Sequence, residues 1–167
     1  MEKLGRHKPA GPLRGGKYSK FDGGTRVPMM ARWPGHIKPD AVSSALISQV
    51  DLGASLAALA GGKFSAPDSV NVMPALLGQT KVARQSLVEH AGTLALVEGD
   101  WKLIEPNKGP KFNANTATEM GNDPEPQLYN LKDDIGEKHN LASQFPDRVQ
   151  RMTALLEGIR AGGSNAR

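Results

Sequence analysis

Apolar positions recur at helical spacing in two stretches of this chain. Val149, Met152, Leu155, Leu156 and Ile159 make a stripe at 3–4-residue spacing, so a helix is expected over 146–161. Pro146 suits its first turn and Gly162-Gly163 its stop. Leu52, Leu56 and Leu59 fall on one face of a second helix expected over 51–60. Asp51 suits its start and Gly61-Gly62 its end, and residues 73–77 can add one more helical turn. Between these stretches the pattern turns strand-like: 86–90, 94–98 and 101–105 are short runs, and 127–131 is a fourth. Gly99-Asp100 reads as the two-residue turn of a hairpin. On the third run Trp101 and Leu103 share one face, opposite Lys102 and Ile104. Val27 to Trp33, bounded by Pro28 and Pro34, predicts a short buried strand. Residues 1–24 are loop by their glycine and proline content, and 106–126 are polar, Asn-rich and without period.

This order of elements predicts an α+β fold. Residues 84–167 are expected to form a small antiparallel sheet of about four strands, covered on one face by the C-terminal helix. Residues 1–83 supply a loop, one strand and one helix. Composition adds two points. Nineteen glycines and 12 prolines in 167 residues suit a loop-rich globular chain. Zero cysteines exclude disulfides and thiolate metal sites.

Charge is uneven. Residues 1–40 carry nine Lys and Arg against three Asp and Glu, and the rest carries 12 against 14. The basic segment can engage a polyanion or stand as a solvated arm. It holds Tyr18, Phe21 and Trp33 but no nucleic-acid-binding motif, so no nucleic-acid partner is expected. No apolar run approaches the ~20 residues that span a bilayer, so no membrane partner is expected either. The polar stretch 1–16 is not a secretory signal, and localisation stays open.

The candidate chemistry lies in Arg14-Gly15-Gly16-Lys17. Glycines permit close backbone approach to a ligand, and a lysine ammonium pairs with sulfate or phosphate oxygen or with charge on a leaving oxygen. By spacing alone it is a surface lysine. His7, in the same basic loop, reads as a surface histidine that can line a substrate mouth. His90 and His139 have no partner at metal-ligand spacing. Asp133-Asp134 read as a solvated turn, and Trp33 and Trp101 as core aromatics.

Several motifs in one order resemble the type I, arylsulfatase-like sulfatases, in their C-terminal portion. They are Lys17, Asp22-Gly23-Gly24, Arg26-Val27-Pro28, Arg32-Trp33-Pro34-Gly35-His36-Ile37 and Val50-Asp51-Leu52. Further on come Gly99-Asp100-Trp101-Lys102-Leu103-Ile104, Leu128-Tyr129-Asn130-Leu131, Gly136-Glu137-Lys138 and Asn140-Leu141-Ala142. The resemblance implies that 1–83 belong to a larger α/β catalytic domain and 84–167 to a C-terminal subdomain. It implies sulfate-ester hydrolysis, with Lys17 binding sulfate and assisting the leaving group. It also implies a formylglycine, made from the Cys or Ser of a Cys/Ser-x-Pro-x-Arg motif, and a divalent cation, usually calcium, held by oxygen ligands. This chain lacks that motif: Ser65-Ala66-Pro67-Asp68-Ser69 has Ser69 where Arg is required. No metal ligand is expected here, and the 167 residues alone are expected to be inactive. Relatives of this kind are often secreted, periplasmic or lysosomal. The alternative is a non-enzymatic module that binds a sulfated glycan through the basic loop. Residues 26–60, uncovered, are expected to self-associate or to be poorly ordered.

Overall fold

The computed structural model describes residues 7–162. Helices α1 (Asp22–Thr25), α2 (Asp51–Leu59) and α3 (Met73–Leu76) precede strands β1 (Ser86–His90), β2 (Leu94–Glu98), β3 (Trp101–Ile104) and β4 (Gln127–Asn130), and helix α4 (Pro146–Arg160) follows. The strands form one antiparallel sheet in the order β1-β2-β3-β4. The expected α+β fold is present. The chain divides into two compact units, which do not follow a single cut at 83/84. One takes the residues up to Val27 together with Val88–Gly158, and the other takes Pro28–Leu87 and the chain from Ile159 on.

In the first unit both faces of the sheet are buried. Register aligns Leu96 with Leu103 and Leu103 with Leu128, and all three are at most 1% exposed, as are Met152 and Leu156 of α4. Helix α4 is tied to this face by Arg151, which pairs with Glu98 of β2, and by Arg148, 4.3 Å over the Trp101 ring. The Trp101 ring also meets Phe145 edge-on at 5.3 Å. The opposite face carries Ala95, Ile104 and Tyr129, which pack on Phe21 from the N-terminal loop. The sequence pattern predicts cover on one face only. The structure covers the second face with residues that precede the sheet by some 80 positions.

One expected element does not form. No strand forms over 27–33. That segment is unpaired, and Val27, Met29 and Met30 are exposed. Pro28 removes a backbone donor there, and no neighbouring strand accepts the rest. Helix α2 forms as expected, with its leucine stripe uncovered: Leu56 and Leu59 are exposed, whereas Asp51 and Ser55 are fully buried. The polar side is inward because Asp51 receives Arg84, at 2.7 and 2.6 Å, and the N–H groups of Ser48 and Val70. Ser55 Oγ accepts the Val72 N–H. Arg84 also donates to the Asp68 carbonyl.

Candidate functional site

The segment from Arg14 to Gly24 closes on itself and carries Lys17. The Gly23 N–H donates to the Arg14 carbonyl at 2.8 Å, the Ser19 N–H to the Gly16 carbonyl at 2.8 Å, and the Gly24 N–H to the Phe21 carbonyl at 2.8 Å. A Cβ on Gly23 would stand 2.4 Å from the Arg14 carbonyl oxygen, and one on Gly24 2.2 Å from that of Ser19. Only glycine permits this closure. Lys17 is exposed, its Nζ 5.0 Å from the centre of the Tyr18 ring. Tyr18 has φ +77, a left-handed backbone that costs a side-chain-bearing residue about 1 kcal/mol. Such a conformation persists only where its surroundings impose it.

The surroundings come from the sheet and from the 106–126 segment. Arg14 pairs with both carboxylate oxygens of Glu119, at 2.8 and 3.0 Å, and donates to the Glu137 carbonyl. Its guanidinium lies 4.0 Å over the Phe21 ring. The Lys20 N–H donates to the Met120 carbonyl at 3.1 Å. At the base of the loop, Asp22 sits in a buried ion cluster. Lys102 Nζ reaches Asp22 Oδ1 at 2.7 Å, Glu89 Oε2 at 3.0 Å and Glu137 Oε1 at 3.5 Å. The Asp22 N–H donates to Glu137 Oε2 at 2.6 Å. Lys102 and Glu137 are fully buried.

Three carboxyls against one ammonium leave an excess of acid. Burial pushes the Glu137 carboxyl up to about 7; Lys102 and the Asp22 N–H pull it down, and the Asp22 carboxylate adds to the rise. Burial opposes the Lys102 charge, but Glu89, Glu137 and Asp22 outweigh it and hold its pKa above the ordinary lysine value. Glu137 also stands at φ +48. The cluster therefore fixes the base of the Lys17 loop through strained and desolvated groups.

Of the residues singled out by sequence, Lys17 stands at the tip of this braced loop. His7 is exposed, and among the described residues its side chain has no hydrogen bond or ion pair. Lys20, three residues on from Lys17, is 3% exposed, and burial draws its pKa down. Asp133 accepts from the Asn130 amide, and Asp134 caps the N–H groups of Lys138 and His139. Among the described residues no three of His, Cys, Asp and Glu could hold a metal ion. Where acids do converge, the Lys102 ammonium fills the space between them. The described residues do not fit the cation that the resemblance implies. Sequence reasoning missed Lys102, Asp22, Glu89 and Glu137 as one group. A signal was present in β3, where Lys102 stands between Trp101 and Leu103-Ile104 in an otherwise apolar run.

Comparison with known proteins gives the family. The family model described as Sulfatase matches residues 3–62. The chain is 44% identical over 165 residues to an N-acetylgalactosamine-6-O-sulfatase of Bacteroides thetaiotaomicron, covering 96% of this chain and 32% of that one. The chain belongs to the sulfatase family. This sulfatase chain is also 35% identical over 166 residues to human arylsulfatase A, covering 87% of itself and 32% of the relative. Among solved structures it matches one from work on glycosaminoglycan metabolism by Bacteroides thetaiotaomicron. The TM-score is 0.88 and the identity 43%, over 93% of this chain and 33% of the other. It also matches Ps i-CgsB, solved in complex with k-i-k-neocarrahexaose, at TM-score 0.68 and 28% identity, over 87% and 31%. The sulfatase chain spans about a third of the length of the curated relatives it matches.

Proposed function

We propose that this chain supplies the lysine segment of sulfate-ester hydrolysis, with Lys17 pairing with the sulfate and with the charge that develops on the leaving oxygen. The observation that carries the reading is an exposed lysine presented at the tip of a strained, closed loop whose base is locked by buried charge. The supporting likeness is to a sulfatase acting on an amino sugar, so a sulfated sugar is the substrate class. In this reading 1–83 form part of the catalytic domain and 84–167 the C-terminal subdomain. His7 is an outlying contact at the mouth of the site. The formylglycine and the calcium ion would be held by residues other than those described here.

The 167 residues alone are then inert. A chromogenic aryl sulfate with calcium should release no phenol; calcium-dependent turnover that disappears in Lys17→Ala would overturn this. The role of Lys17 is tested by complementation with a polypeptide carrying the other two thirds of a sulfatase relative. There Lys17→Ala should lower kcat at least roughly a hundredfold, the scale of one lost transition-state donor. Lys63→Ala, at an exposed lysine of the other unit, should leave kcat unchanged. Equal losses in both would reduce the site to general electrostatics. The exposed Val27, Met29, Met30, Leu56 and Leu59 further support self-association of the chain through 26–60. Light scattering that stays monomeric at rising concentration, with strong amide protection over 26–60, would refute that.

A further inference from the structure

The polar segment after β3 is folded, and it folds against the Lys17 loop. Phe112 pairs with Glu119 in an antiparallel bridge. The Asn113 N–H donates to Thr118, the Ala117 N–H to Asn113 and the Met120 N–H to Lys111, each at 2.8–2.9 Å. Asn113 Oδ1 accepts the N–H groups of Asn115 and Thr116, and Ala117 takes φ +54 to close the turn. This small hairpin is fastened to the lysine loop by the Arg14–Glu119 pair. A Cβ on Gly16, the residue before Lys17, would lie 3.5 Å from Thr118 Cγ2. The hairpin thus packs on Gly16, one residue before Lys17, and is formed before any ligand arrives.

Its surface has a particular chemistry. Phe112 is 56% exposed. The Asn115 and Thr116 side chains are exposed and have no hydrogen-bond partner among the described residues. Its acid, Glu119, is spent on Arg14. An aromatic face, a free amide and a free hydroxyl, on a rigid turn next to a cation, suit a pyranose ring. The ring's C–H face packs on the aromatic, and its hydroxyls exchange hydrogen bonds with amide and hydroxyl groups. We infer that the 112–118 hairpin is the sugar-recognition element of this chain, with Phe112 as the stacking platform and Asn115 and Thr116 as hydroxyl partners for a hexosamine whose sulfate meets Lys17. The sulfate half of this statement rests on the proposed role of Lys17; the sugar half does not.

The test is a titration of the whole isotope-labelled chain, read by amide and side-chain NMR shifts. The probes are inorganic sulfate, N-acetylgalactosamine and its 6-sulfate. The sulfated sugar should move the resonances of 112–118 together with those of Lys17, and inorganic sulfate should move only Lys17. Phe112→Ala should weaken the sugar about fivefold, the scale of one aromatic contact, and leave the response to inorganic sulfate unchanged. Asn115→Ala, at an exposed position, should weaken it about threefold, as for one neutral hydrogen bond, and serves should Phe112→Ala fail to fold. Hairpin resonances that do not respond to either sugar would overturn the inference whatever happens at Lys17. A responding hairpin with a silent Lys17 would keep the sugar element and remove the sulfate role.

Discussion

Each compact unit buries an ion site, and the two are built on opposite principles. In the second unit Asp51 faces Arg84 in a fork-to-fork pair, with two backbone N–H groups completing the carboxylate's shell. Burial alone would push Asp51 up, but Arg84, Val70 and Ser48 outweigh it and hold the acid below its ordinary value. In the first unit three carboxyls share Lys102, and one of them titrates near neutrality. A matched pair fastens a loop whenever the acid is ionised. An acid-rich cluster fastens its loop best when it also holds a proton. The second design is the one placed under the Lys17 segment.

The contrast can be broken at its strongest point first. Lys102→Met removes the ammonium from among three buried carboxyls. Breaking a buried pair typically costs about 3–5 kcal/mol, and this change should reach the top of that range in denaturant titration. Loss of less than half of that would mean the carboxyls simply protonate at no structural cost. Arg84→Met should cost about 3 kcal/mol by the same mechanism. Its exchange signature should be local, with amide protection lost over 46–72 and kept in β2–β4. Uniform loss across both units would show that the chain unfolds as one body.

A third measurement separates the two sites by the sign of their response to pH. Glu137 has its folded pKa raised to about 7 from an ordinary 4.5. Its contribution is fully present below the ordinary value and is lost as pH rises through the raised one. Between acid and neutral pH it should remove about 3 kcal/mol, and Glu137→Gln should flatten that slope. Asp51, held low, behaves inversely: its contribution is present above the ordinary carboxylate value and is lost as pH falls below it. A slope of the same sign in Glu137→Gln and Asp51→Asn would erase the distinction. The smallest effect concerns Trp101, which is half-buried beneath Arg148 and against Phe145. Trp101→Ala should cost about 1–2 kcal/mol and leave both pH slopes untouched. A shifted slope would mean that α4 takes part in the buried charge.

What could be read from the chain divides along the same line. Elements with a local period were legible: the four strands and the helices over 51–59 and 146–160 lie within a residue or two of expectation. So was the family likeness, through the motifs around Lys17. The cluster beneath it was not. Asp22, Glu89, Lys102 and Glu137 are spread over 115 positions, and each looks locally like a polar residue facing water. Alternation in β3 assigned Lys102 to solvent because a strand covered on one face normally puts its polar residues out. In helix α2 the buried side was the part not legible: Asp51 and Ser55 face inward, and Asp51 is met by Arg84 from 33 positions away. The expected strand at 27–33 needed a partner that periodicity cannot supply.

The wide spacing of the cluster bears on the order in which the protein takes shape. Residues 14–24 leave the ribosome before their fastenings, Lys102, Glu119 and Glu137. Closing contacts over such separations is slow, because chain entropy is lost before the contacts form. The lysine loop therefore waits, unseated, until Glu137 has been synthesised. Any copy that stops short of Glu137 carries the same lysine segment without the clasp that holds it in shape.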